Sequence, residues 1–252
     1  MTKELEGLTA LVTGSSNGIG AEAAVKFAER GAAEVLVHYH NGKDEAARVC
    51  ERVCAAGAKA AMFGADLNSK AGIEAFLSEL EDRRIDILVN NAGSLIKRTP
   101  FLDFTPELWD QVVTLNFHSA FRITQHVLPQ MIARGRGFVV NVSSVAARNG
   151  GGIGAIAYAS SKGGLSTMTK GLAKEFAPKG IRINGVSPGT IDTNFHKMFS
   201  TEQMLSNARA ATPAGRLGDS AETADVILFL CSEGARFVHG QMIEVNGGFL
   251  MV

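Results

Sequence analysis

Tyrosine is scarce in this chain: Tyr39 and Tyr158 are the only two among 252 residues, beside a single tryptophan. Cysteine is scarce too, with Cys50, Cys54 and Cys231. Cys50 and Cys54 share a helix face, but no histidine pair stands near to complete a metal site. No metal is expected, and reduced thiols fit a cytoplasmic protein. Neither sign of charge is in excess, since Lys plus Arg is 25 and Asp plus Glu is 25. That removes the basic footprint of nucleic-acid binding and the acidic tracts of disorder. No apolar run approaches the ~18 residues of a membrane span. Met1 to Gly7 is charged and lacks the apolar stretch of a signal peptide. Neither nucleic acid nor membrane is expected as a partner.

Apolar residues make up 46% of the chain, enough for a large core. Short β-rich runs alternate with helical patterns. Strands are expected at Leu8–Thr13, Glu34–His40, Lys59–Gly64, Ile85–Asn90, Gly137–Ser144, Gly180–Gly189 and Gln241–Asn246. Helices are expected between them, with caps at Ser69 and Thr105 and Pro106 at a first helical position. Such alternation predicts an α/β fold: about seven parallel strands with helices on both faces. Right-handed crossovers then bring every strand end, and any ligand, to one edge. No repeat or linker interrupts the pattern, so residues 1–252 read as one domain. The least regular segment, 190–213, is either a substrate lid or a surface helix pair that never moves.

Gly14-Ser-Ser-Asn-Gly18-Ile-Gly20 joins the first strand to the first helix. Glycine lets the chain approach a ligand closely, and a helix start attracts phosphate. Tyr158 and Lys162, four apart, share a helix face. A nearby positive charge lowers a phenol's pKa, and such a tyrosine can exchange a proton with an alkoxide. Alone, a Tyr-x-x-x-Lys spacing says little. Asn116, in an apolar setting, serves either its local backbone or a site.

Taken in order, Thr13-Gly14-x-x-x-Gly18-Ile19-Gly20, Asn90-Asn91-Ala92-Gly93, Asn116, Ser144, Tyr158-x-x-x-Lys162 and Pro188-Gly189 resemble the short-chain dehydrogenase/reductase family. The resemblance runs from about Leu8 to the end. It implies a Rossmann-type single domain, doubly wound, that binds a nicotinamide dinucleotide and moves a hydride. It implies Tyr158 as general acid, its pKa lowered by Lys162, and Ser144 as donor to the carbonyl oxygen. Asn116 would hold a water that relays protons through Lys162. The interval from Ser144 to Tyr158 is one residue longer than the family's commonest spacing. A bulge in Gly150-Gly-Gly-Ile-Gly154 would absorb it.

By the same resemblance Gly14, Gly18, Ile19 and Gly20 cradle the pyrophosphate, and Asp66 and Leu67 meet the adenine. Asn91, Ala92 and Gly93 line the ribose side. Tyr158 and Lys162 also meet the cofactor. Pro188, Gly189, Ile191 and Thr193 hold the carboxamide end. No acid stands at the end of the second strand, and Ser15, Asn17, His40, Asn41 and Lys43 are placed to accept a 2′-phosphate. NADP is therefore the preferred cofactor, with NAD as the alternative. Ser94, Arg98, Arg148, Asn149, Gly151, His196 and Lys197 are the expected substrate contacts. Their polarity favours an anionic or hydroxylated substrate such as a keto sugar acid; the resemblance, to 3-oxoacyl-carrier-protein reductases and sugar or sugar-acid reductases within the family, implies a keto acid, keto sugar acid or 3-oxoacyl substrate. The other readings are an NAD-dependent alcohol or polyol dehydrogenase and a non-catalytic dinucleotide-binding regulator. A homotetramer, pairing helices Trp109–Pro129 and Ala157–Phe176, completes what the resemblance implies.

Overall fold

The computed structural model describes residues 4–252, so Met1 to Lys3, and with them part of the reading of the chain's start, lie outside the described residues. The elements follow as β1 (Thr9–Val12), α1 (Gly18–Glu29), β2 (Glu34–Tyr39), α2 (Lys43–Ala55), β3 (Lys59–Gly64), α3 (Lys70–Glu79) and β4 (Ile87–Asn90). Next come α4 (Pro106–Val113), a π-helical turn (Thr114–His118), α5 (Ser119–Ala133), β5 (Gly137–Val142), α6 (Ala146–Asn149) and α7 (Ile156–Phe176). The chain ends with β6 (Ile181–Pro188), α8 (Asn194–Phe199), α9 (Glu202–Ala211), α10 (Ser220–Cys231) and β7 (Met242–Val245). All seven strands form one parallel sheet in the order β3-β2-β1-β4-β5-β6-β7.

Side chains alternate across a strand, and here both faces are apolar. Val12, Val35, Val37 and Val89 pack with Phe27, Val49 and Ile227 on one side. Leu11, Leu36 and Leu88 pack with Phe76, Ile123 and Val127 on the other. Register places Leu11 beside both Leu36 and Leu88. A buried polar chain ties the sheet to its helices: Asn90 donates to Thr124 and Asn141, and Asn141 donates to Thr169.

Thr105 and Ser69 cap their helices as expected. The 190–213 segment is helical rather than irregular, forming α8 and α9. The long helix from Pro106 is broken by the π-turn, which sequence spacing did not signal. After β3-β2-β1 the chain jumps to β4 on the far side of β1. That reversal opens a crevice at the carboxyl ends of β1 and β4, where α/β sheets bind ligands.

Candidate active site

A cavity of about 910 Å³ fills this crevice. His40, Asn41, Asp66 and Leu67 line it, as do Gly14, Asn17, Gly18 and Ile19 in the glycine turn. Asn91, Ala92 and Gly93 form its floor, and Pro188, Gly189, Ile191 and Thr193 stand along a wall. Ser144, Tyr158 and Lys162 line the catalytic end, with Ser94, Arg98, Asn149, Gly151 and His196 around it.

The turn is held by its neighbours. Gly14 and Gly18 have φ of 62° and 58°, values that disfavour a side chain. A Cβ on Gly14 would stand 2.9 Å from the α-carbon of Ala92. Asn91 Nδ2 donates to the carbonyls of Thr13 and Gly14, both at 2.9 Å. Asn17, at the start of α1, makes no side-chain bond to that helix's first amides. Those amides and the helix dipole suit a pyrophosphate. The residues present therefore fit a dinucleotide, whose phosphates Gly14, Gly18 and Ile19 would hold and whose base Asp66 and Leu67 would meet.

Three expected cofactor contacts fall elsewhere. Ser15 is buried; its Oγ donates to Val12 O and accepts from His38 N, so Ser16 lines the groove instead. Gly20 packs under the turn, where a Cβ would meet Asn91 Nδ2 at 2.5 Å. Lys43 is exposed and does not line the groove. Among the substrate residues, Arg148 turns away to Glu244, 3.3 Å distant, and Lys197 is exposed outside the cavity.

Tyr158 and Lys162 stand one turn apart on α7, the ammonium 5.7 Å from the ring centroid. Lys162 is 2% exposed and donates to Val142 O at 2.7 Å. Burial pushes the Lys162 pKa down to about 7 and the Tyr158 pKa up to about 12, while the bond to Ser144 pulls Tyr158 the other way. The phenol's pKa is thus raised where lowering was expected, because burial disfavours the charged phenolate. A phenol held this high is protonated at neutral pH, which is the state that can donate.

Ser144 and Ser143 are distinguished by their partners. Ser143 Oγ donates to Lys162 O at 2.9 Å and is hydrogen-bonded to Ser166 Oγ at 2.8 Å. Ser144 Oγ accepts from Ala146 N and stays bonded to Tyr158. Gly150, Gly151 and Gly154, in the stretch between Ser144 and Tyr158, all lie at positive φ.

Asn116 sits in the π-turn, 1% exposed and outside the cavity lining. Its Nδ2 donates to Ser94 O and Val112 O, and its Oδ1 accepts from Ser94 N. It fixes the backbone at Ser94, next to Gly93. A Cβ on Gly93 would lie 2.7 Å from Asn116 Oδ1 and 3.0 Å from Lys162 Nζ. Phe195, whose ring is 5.6 Å from that of Tyr158, and His38 also line the groove. Sequence reading missed both. A histidine within an apolar strand was the available signal for His38; Phe195 left none.

An oxidoreductase dependent on a nicotinamide dinucleotide is the class that this crevice and its protonated phenol define. Comparison with known proteins agrees. A family model described as enoyl-(acyl carrier protein) reductase matches residues 14–250. The 3-oxoacyl-[acyl-carrier-protein] reductase FabG of Aquifex aeolicus is 37% identical over 98% of this chain and 99% of its own. A gluconate 5-dehydrogenase from Burkholderia cenocepacia, solved in complex with NADP and tartrate, is 35% identical with a TM-score of 0.88, covering 98% of this chain and 96% of that one. A 3-oxoacyl-[acyl-carrier protein] reductase from Brucella melitensis with bound NAD is 32% identical with a TM-score of 0.90, covering 100% and 94%. The chain belongs to the short-chain dehydrogenase/reductase family and is an NAD(P)-dependent enzyme of ketone reduction.

Proposed function

We propose that the enzyme reduces small keto acids, keto sugar acids among them, to hydroxy acids. Arg98 carries this reading. Its Nε donates to Phe199 O at 3.1 Å and its Nη1 to Ile153 O at 2.7 Å, both neutral acceptors. Among the described residues no carboxylate pairs with it. The two carboxylates lining the groove, Glu45 and Asp66, stand at the adenosine end near Gly42 and His40. A guanidinium without a counter-ion beside the reacting end suits a substrate carboxylate. His196 lines the same end. The tartrate in the Burkholderia structure, a small dicarboxylate, is consistent with this class.

When bound, the reduced nicotinamide supplies the hydride. Tyr158 donates its phenolic proton to the carbonyl oxygen, and Ser144 hydrogen-bonds that oxygen as its charge grows. Lys162, anchored on Val142 O, holds the cofactor side of the phenol. Helices α8 and α9 serve as the lid of a single catalytic domain, clasped by Arg98 through Phe199 O.

NADP(H) is the proposed cofactor, with NAD(H) accepted. Ser16, Asn17, His40 and Asn41 line the adenosine end, and Arg48 lies 3.0 Å from the Glu45 carboxylate that also lines it. A homotetramer in the cytoplasm is proposed with it; Phe121, 41% exposed on α5, is available for such a contact. No helix among the described residues is long and apolar enough to cross a membrane. Two steady-state measurements test the reading. A panel of keto acids, their amides and neutral ketones is followed by loss of NADPH absorbance, with the acids expected to be preferred; equal rates for acid and amide would remove Arg98's role. Side-by-side kcat/KM values decide the cofactor, and a much better value with NADH overturns the NADP preference.

A further inference from the structure

We propose that His38 is a positioning residue that joins two walls of the cofactor groove through its imidazole. His38 lies in β2, 2% exposed, with its ring 4.9 Å from that of Phe76. Its Nδ1 stands 2.9 Å from the Gly14 amide, and its Nε2 stands 3.1 Å from Ala65 O. An amide can only donate and a carbonyl can only accept. The ring is therefore the neutral Nε2–H tautomer, accepting from Gly14 and donating to Ala65. One side of this bridge is the first glycine of the phosphate turn. The other is the residue before Asp66 and Leu67 at the base end.

The backbone of His38 repeats the tie. Ser15 N donates to His38 O at 2.9 Å, and His38 N donates to Ser15 Oγ at 3.1 Å. The Gly14 peptide, at φ of 62°, thus has its direction set by an acceptor from a neighbouring strand. No other tie among the described bonds links the Gly14 amide to the β3 exit, and no apolar side chain at position 38 could provide one. Burial lowers the imidazole's pKa to about 4, which keeps the accepting nitrogen free of a proton. The bridge orders the groove before ligand arrives, so its effect belongs to dinucleotide affinity.

Equilibrium binding of NADPH and NADH, read by nucleotide fluorescence without substrate, tests this independently of the substrate reading. His38→Leu removes both bonds, His38→Asn keeps only an acceptor near Gly14, and His38→Gln keeps only a donor near Ala65. His38→Leu is expected to weaken binding about tenfold or more, with the Asn and Gln variants between it and the wild type. In steady state the cofactor KM rises more than kcat falls, a split that loss of global stability alone does not give. A folded His38→Leu variant binding within twofold of wild type overturns the proposal. If that variant does not fold, Asn and Gln variants that both bind within twofold of wild type overturn it equally.

Discussion

Asn116 Oδ1 and Lys162 Nζ converge on the α-carbon of Gly93, so close that a methyl there would lie 2.7 Å from the first and 3.0 Å from the second. The π-turn brings Asn116 to this point, and helix α7 brings Lys162. Gly93→Ala is expected to push one of them aside. A displacement near 1 Å at a reacting centre can cost about 100-fold in rate. Activity should fall at least tenfold while the variant stays folded by circular dichroism; unchanged turnover would mean that neither side chain needs its present position.

Tyr158→Phe keeps the ring that faces Phe195 and removes only the hydroxyl. Loss of a general acid lowers turnover by about 10²–10⁴-fold. Dinucleotide binding, measured by fluorescence, should persist. Wild-type rates in this variant would rule out the phenol as the proton donor.

The two serines should separate cleanly. Ser144→Ala removes the donor to the developing oxyanion, a loss of about 100-fold or more in kcat. Ser143→Ala removes bonds to Lys162 O and Ser166 Oγ, and its main effect should be on thermal stability, by about 1 kcal/mol. Parallel kcat and melting measurements check this; the reverse pattern would exchange their roles.

Acid should act on the fold through His38. Its pKa is about 4 in the folded protein against the ordinary 6.5, chiefly from burial, with His40 adding in the same direction. His40 itself stands 3.7 Å from Asp66. The unfolded chain takes up the proton first as pH falls. The stability is therefore fully present above pH 6.5 and is lost between 6.5 and about 4, a change of about 3 kcal/mol. Urea unfolding at several pH values should show a shallower pH dependence in His38→Leu than in the wild type. Identical slopes would refute a buried neutral imidazole.

The sheet was legible in the chain, because short continuous apolar runs bounded by turns and alternating with helices point to buried parallel strands, and Leu11, Leu36 and Leu88 meet within it. Spacing also put Tyr158 and Lys162 together, since positions four apart on a helix share a face. Only the folded chain shows why Ser143 is taken up elsewhere, for that depends on Ser166 and Lys162 arriving from α7. Long-range contacts also set the sign of the Tyr158 shift, because desolvation is a property of everything packed around a group, not of its neighbour four residues along. Arg148's turn toward Glu244 and His38's reach to Gly14 and Ala65 are likewise meetings of distant segments, and spacing along a chain carries no record of them.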